Sequence, residues 1–221
     1  MNIKAVLLLG GLGTRVLGEK TPKQFLLLGD KKIYEITLET FEKSNLFKDI
    51  ILVSPQHHQI KGSVAGGQTR QQSSFNGLQA CGPQTDFVLI HDAVRPFVSI
   101  DILKRNVEAA QKYGAVNTCI PSADTLNVVK KGFTTNIPNR NELMRGQTPQ
   151  TFSFDLILEA HKRSKQTNAF DDCSLVLEMG KPVFVVDGSF ENFKITTDFD
   201  YLLAKTLYAN NSFFFKSRKT S

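Results

Sequence analysis

The chain has 221 residues, 41% hydrophobic and 22% charged, with a net charge of +6. That is enough for one α/β domain with a proper core, and no apolar run reaches the roughly 18 residues of a membrane span. Cys81, Cys119 and Cys173 are far apart, with no CxxC, so neither a disulfide framework nor a zinc site is suggested and a cytoplasmic setting fits best. The basic balance suits a polyanionic small ligand. No run of five basic residues and no aromatic–basic stacking pattern points to nucleic acid.

Ala5 to Leu9 reads as a buried first strand rather than a leader, because the glycine loop that follows has no cleavage pattern. Lys32 to Ser44 reads as a helix with Ile33, Ile36 and Phe41 on one side, and Asp49 to Ser54 as a second strand. A helix over Thr69–Cys81, a strand over Phe87–His91, a helix over Asp101–Tyr113 and a strand over Ala115–Pro121 follow. Such alternation predicts a single Rossmann-like α/β domain whose mainly parallel central sheet is flanked by helices. Residues from about 122 to 145 break the pattern. Thr125–Val129 and Phe133–Ile137 flank Lys130-Lys131-Gly132, a hairpin signal. Lacking a strong apolar face, this hairpin is expected to protrude as an arm that needs a partner. Helices near Phe154–Ser164 and Asp172–Met179, a strand over Pro182–Val186 and a last helix over Phe199–Leu207 complete a domain of residues 1–210. Residues 211–221, with three adjacent phenylalanines, form a C-terminal tail.

The chemistry gathers in the loops after strands. Gly10-Gly11-Leu12-Gly13-Thr14-Arg15 follows the first strand. Glycines let backbone N–H groups approach an anion, and Arg15 and Lys23 add full charge beside that cradle. A dinucleotide fingerprint would need glycine where Val16 stands, and a phosphate-binding Walker loop would need lysine where Glu19 stands. Asp92, at the end of a buried strand, suits ribose hydroxyls, substrate hydroxyls or a metal. Arg95 is open between ion-pair partner and ligand, and Asp172 between helix N-cap and active-site group. His91 reads as a packed strand-end histidine.

Gly11-x-Gly13-x-Arg15 with Pro22-Lys23-Gln24 resembles the signature of the sugar-nucleotide-type nucleotidyltransferases. Gly66–Ser73, His91–Pro96, Arg140 with Gln147–Gln150, and Glu191–Thr196 narrow the likeness. Together they resemble the family containing 2-C-methyl-D-erythritol 4-phosphate and ribitol-5-phosphate cytidylyltransferases, from Ile3 to about Leu207. The resemblance implies transfer of CMP from CTP to a small polyol phosphate, with Mg²⁺ bridging the CTP phosphates. It assigns Arg15 and Lys23 to catalysis, and, together with these two, Gly10, Gly11, Gly13, Thr14, Gly67, Arg70, Ser73 and Asp92 to the nucleotide. Asp92, Thr125, Arg140, Thr148 and Lys194 would hold the acceptor. Thr125 and Arg140 would reach a neighbouring subunit's site, which implies a homodimer joined through the arm, with no nucleic acid or membrane partner. Methylerythritol phosphate is the first reading of the acceptor, and ribitol 5-phosphate, used to make CDP-ribitol for a surface polymer, is the alternative.

Overall fold

The computed structural model describes residues 1–10 and 21–217. β1 (Ile3–Leu8) is followed by the short antiparallel pair β2 (Leu27–Leu28) and β3 (Lys31–Lys32), then α1 (Ile33–Ser44), β4 (Asp49–Ser54) and β5 (Val64–Ala65). Next come α2 (Arg70–Cys81), β6 (Phe87–Asp92), α3 (Ile100–Tyr113) and β7 (Ala115–Pro121). The arm carries β8 (Val128–Lys130) and β9 (Phe133–Asn136). The chain ends with β10 (Met144–Ser153), α4 (Phe154–Arg163), α5 (Cys173–Glu178), β11 (Phe184–Asp187) and α6 (Asp198–Ser217). That last helix runs past Leu207, so the start of the expected tail is helical.

Seven strands form the main sheet in the order β11-β7-β10-β6-β1-β4-β5. β1 lies parallel between β4 and β6, with Val6 opposite Ile51 and Ile90. β10 alone runs antiparallel, paired with β6 and β7. Sequence patterning does not reveal this strand. Met144–Ser153 is polar, contains Gly146 and Pro149, and its ladder to β7 is interrupted between Gly146 and Gln150. Proline has no N–H to give a ladder, which disguises a central strand.

Alternation along β1 feeds two cores. Ile3, Ala5, Leu7 and Leu9 join Tyr34 and Phe41 of α1 and Leu103 and Val107 of α3. Val6 and Leu8 face the other way, toward Leu78 of α2, Ile157 of α4 and Leu175 of α5. That is the period-2 pattern of a strand buried on both faces. α2 sits very close: a Cβ at Gly77 would lie 2.5 Å from Val6 Cγ1 and 2.9 Å from Val53 Cγ2. α2 is capped by Thr69, whose hydroxyl accepts the Gln72 N–H at 3.1 Å, and α3 by Ser99, which accepts from Ile102 at 3.3 Å. A third cluster ties Tyr201 and Ala204 of α6 to Leu26, Leu28 and Ile33, and the Tyr201 hydroxyl donates to the Leu27 carbonyl at 2.7 Å.

Candidate active site

The carboxyl ends of β1, β4, β6, β7 and β11 share one edge of the sheet. Because β10 is antiparallel, its beginning reaches that same edge: Arg145 is in register with Ile120, and Gly146 with Cys119. Loops at this edge of an open α/β sheet are where ligands bind.

On the β1–α2 side, Gly10 lies beside Ser73, whose Oγ would be 3.5 Å from a Cβ at position 10. The Ser73 hydroxyl accepts the Gly67 N–H at 3.0 Å and donates to the Thr69 carbonyl at 2.9 Å. Its role in this structure is to hold the Gly66–Gly67 loop against α2. Only glycine fits at 67, where a Cβ would collide with Gln72 Cβ. Gly10, Gly67 and Ser73 make one wall here, and Arg70, at the first turn of α2, turns its guanidinium to Asp92 and Asp172.

Asp92 closes β6 and joins both sides of the site. Its carboxylate lies 2.9 Å from Lys194 Nζ, 3.4 Å from Arg70 Nε and 3.7 Å from Arg95 Nε. Burial pushes this carboxyl up, but the charges of Lys194, Arg70 and Arg95 outweigh it and hold it well below the usual carboxylate range. Asp92 is therefore an ionised acceptor of hydrogen bonds. Arg95 donates to the Asn192 carbonyl at 2.9 Å, so it serves both as ion-pair partner and as pocket wall.

Lys194 is aimed by its neighbours in sequence. Asn192 is fully buried and donates to Gln147 Oε1 at 3.1 Å and to the Thr148 carbonyl at 2.8 Å. Ile195 is also fully buried, and its N–H donates to the Val94 carbonyl at 3.0 Å. A capping box then starts α6: Thr197 Oγ1 accepts the Asp200 N–H at 3.2 Å while Asp200 Oδ2 accepts the Thr197 N–H at 2.8 Å. The lysine backbone is pinned on both sides while its side chain reaches Asp92.

Beside this lysine lies a pocket of about 230 Å³, lined by Arg95, Ile120, Arg145, Gly146, Gln147, Phe190, Phe193, Lys194, Thr196 and Asp200. The Asp200 carboxylate is already taken by Thr196 and Thr197, so Arg95, Arg145 and Lys194 dominate. Such a pocket suits a small organic phosphate, with Ile120, Phe190 and Phe193 offering an apolar side. Sequence patterning does not single out Arg145, Gln147, Phe190 or Phe193 as site residues. The signal that identifies Arg145 is its register with the end of β7, which needs the hidden strand β10.

The other sequence-predicted residues distribute as follows. Lys23 is buried in a short 3-10 turn, Lys23–Phe25, after Pro22. Thr148 is buried, and its hydroxyl accepts the Asp92 N–H at 3.0 Å and lies 3.1 Å from His91 Nδ1. It fixes the end of β6 from behind, while its neighbours Gly146 and Gln147 line the pocket. His91 Nε2 is 3.4 Å from the Arg95 carbonyl, which can only accept, so Nε2 carries the proton and Nδ1 accepts from Thr148. Burial pushes the imidazole down to about 3, which keeps it neutral. Thr125 and Arg140 are exposed on the arm, and no described hydrogen bond or ion pair ties them to the pocket of the same chain. Gly11, Gly13, Thr14 and Arg15 lie outside the described residues.

Among the described residues, no three His, Cys, Asp or Glu side chains converge on a metal position.

Residues 3–210 match the family model described as IspD, 2-C-methyl-D-erythritol 4-phosphate cytidylyltransferase. A relative of that name from Geotalea uraniireducens is 38% identical over 224 residues, covering 93% of this chain and 96% of the relative. One from Desulforamulus reducens is 36% identical, covering 92% and 94%. A solved 4-diphosphocytidyl-2C-methyl-D-erythritol synthase from Anaerococcus prevotii superposes with a TM-score of 0.82 at 30% identity, covering 94% of this chain and 96% of that one. The 2-C-methyl-D-erythritol 4-phosphate cytidylyltransferase from Thermus thermophilus gives 0.79 at 33% identity, covering 95% and 100%. With the family match and the structural likeness both spanning nearly the whole length, the chain belongs to the 2-C-methyl-D-erythritol 4-phosphate cytidylyltransferase family of nucleotidyltransferases.

Proposed function

We propose that the chain transfers CMP from Mg²⁺-bound CTP to 2-C-methyl-D-erythritol 4-phosphate, giving 4-CDP-2-C-methyl-D-erythritol and diphosphate in isoprenoid precursor synthesis. The observation that carries this reading is the cationic pocket beside Asp92 in a chain whose family membership spans residues 3–210.

An oxygen of the acceptor phosphate attacks the α-phosphorus of CTP, and the bond to the bridging oxygen of the leaving diphosphate breaks. Both reactants are polyanions, so the obstacles are charge repulsion and alignment, which fixed cations and N–H donors reduce. Arg95, Arg145 and Lys194 hold the acceptor phosphate in the pocket, and Ile120 and Phe193 face its carbon side. The wall of Gly10, Gly67 and Ser73, together with Arg70, takes the nucleoside. Arg15 and Lys23 neutralise the triphosphate, and Mg²⁺ bound to CTP spreads its charge. Asp92 keeps Arg70 and Lys194 in fixed relation, so that nucleotide and acceptor meet in line.

The same reading makes the molecule a homodimer. Val129, Phe133 and Ile137 on the arm are 57%, 75% and 58% exposed, and an isolated two-stranded sheet is marginal in water. A second copy would cover these side chains and bring Thr125 and Arg140 to its acceptor pocket. The buried free thiols of Cys81, Cys119 and Cys173 suit a reducing cytoplasm. Among the described residues no helix is long and apolar enough to cross a membrane.

The test is diphosphate release with CTP and Mg²⁺, comparing methylerythritol 4-phosphate with ribitol 5-phosphate. Release with the first is expected. Release with ribitol 5-phosphate alone would move the protein to activated ribitol synthesis.

A further inference from the structure

Asp172 is a buried carboxylate bonded at both oxygens, and it does not line the acceptor pocket. Its side chain is 1% exposed. Oδ2 accepts from Arg70 Nη1 at 2.7 Å, and Oδ1 lies 2.6 Å from Ser74 Oγ and 2.9 Å from His161 Nε2. Its backbone N–H donates to Gln150 Oε1 at 3.1 Å, and Gln150 Nε2 in turn reaches Asp171 Oδ2 at 3.1 Å. Asp172 opens α5 without capping it by its side chain. Asp171 meets the helix end instead, accepting the Ser174 N–H at 2.9 Å. The Asp172 carboxylate is thus held in one orientation from α2 and α4, and its backbone from β10.

Arg70 is gripped at two points, with Nη1 on Asp172 and Nε on Asp92. The two contacts are unequal, 2.7 Å against 3.4 Å, so the short one sets where the guanidinium stands. Without it, Arg70 could close fully on Asp92 and compete with Lys194 for the same oxygens, or swing out toward solvent. Either movement would shift the guanidinium from its present place between Asp92 and Asp172.

We infer that Asp172, locked by Ser74 and His161, is a positioning residue that sets Arg70 for the nucleotide and leaves Asp92 to Lys194. This rests on the nucleotide assignment of Arg70 made above. A buried charge pair loses most when one partner is neutralised, so the isosteric Asp172→Asn is the informative change.

Mg²⁺·CTP binding is measured by calorimetry, and steady-state diphosphate release at varied CTP and methylerythritol 4-phosphate, for wild type, Asp172→Asn, Arg70→Lys and the double variant. Asp172→Asn should weaken CTP binding and raise the CTP KM on the order of tenfold, with a smaller change in acceptor KM. The double variant should be hardly worse than Arg70→Lys, because both substitutions disable one unit. Ser74→Ala should shift CTP affinity in the same direction by a few-fold, and it serves in place of Asp172→Asn if that variant does not fold. Unchanged CTP affinity in folded Asp172→Asn, or in Ser74→Ala when it substitutes, would overturn the inference, as would independent additive losses in the double variant. Wild type that binds Mg²⁺·CTP but releases no diphosphate with either acceptor would instead sink the proposed reaction and leave the clamp testable by binding. Wild type that does not bind Mg²⁺·CTP overturns both.

Discussion

Lys194 Nζ lies 2.9 Å from Asp92 Oδ2, across a gap that joins a loop before the last helix to the end of a central strand. The lysine side chain is 36% exposed and the aspartate 9%. One partner is fixed by the sheet, and the other faces the pocket.

Lys194→Met should therefore damage chemistry more than folding. Removing one charge-stabilising donor costs on the order of 100-fold in turnover, while the buried Asp92 carboxylate keeps Arg70 and Arg95 as counter-charges, which limits the loss of stability. The expected outcome is a large fall in kcat with a melting temperature within a few degrees of wild type. A variant with near-wild-type kcat would remove Lys194 from the reaction.

Arg145 is exposed at the start of β10 and lines the cationic pocket beside Asp92, the proposed acceptor site. Arg145→Ala should raise the KM for methylerythritol 4-phosphate about tenfold, consistent with loss of a charge-assisted contact, and leave the CTP KM unchanged. A CTP effect of equal size would place the arginine on the nucleotide side instead.

Arg140 tests the shared site. If it reaches the pocket of a second copy, Arg140→Ala should mainly raise the acceptor KM. Mixing that protein with inactive Arg15→Ala, under conditions that exchange subunits, should restore part of the activity through hybrid sites. No restoration after verified exchange would argue against arms that cross between copies.

His91 predicts an acid limb of stability. Burial lowers its folded value from 6.5 to about 3, so below pH 6.5 the unfolded chain takes a proton that the folded chain refuses. Its contribution is full above about pH 6.5 and falls by up to about 1.4 kcal/mol per pH unit down to about pH 3. Asp92 and Asp172, both held below the usual carboxylate range, lose their contribution only below about pH 4. Denaturant midpoints measured from pH 7 to 4.5 should slope for wild type and flatten in His91→Gln. Equal slopes would assign the acid sensitivity elsewhere.

Gly77→Ala tests the close seat of α2 on the sheet. An added methyl would meet stiff Val6 and Val53 side chains at 2.5 and 2.9 Å. The expected cost is about 1–3 kcal/mol, read as a lower urea midpoint with an unchanged m-value.

Much of the molecule is legible in the amino-acid order because its causes are local. Alternating strand and helix periods predict the α/β sheet, and helical spacing puts Ile33 and Phe41 on the buried side of α1. The hairpin announces itself through Lys130-Lys131-Gly132 between two short β-prone runs. Asp92 stands out because it ends a buried strand at the ligand edge of the sheet, whereas Gly67, Ser73 and Lys194 stand out only through the family resemblance. Other features depend on which distant segments become neighbours. β10 is hidden because its central position comes from pairing with β6 and β7, not from its own polar, proline-containing sequence. Without that strand, Arg145 could not be placed opposite Ile120. Arg70 and Asp172 lie far apart in the chain, so only folding shows that one sets the other, and that Thr148 braces β6 from behind. Residue order set the periodicities, the loop chemistry and the family. Folding settled which charges share a carboxylate, because Coulomb and hydrogen-bond energies depend on separations of a few ångströms that exist only once the sheet has formed.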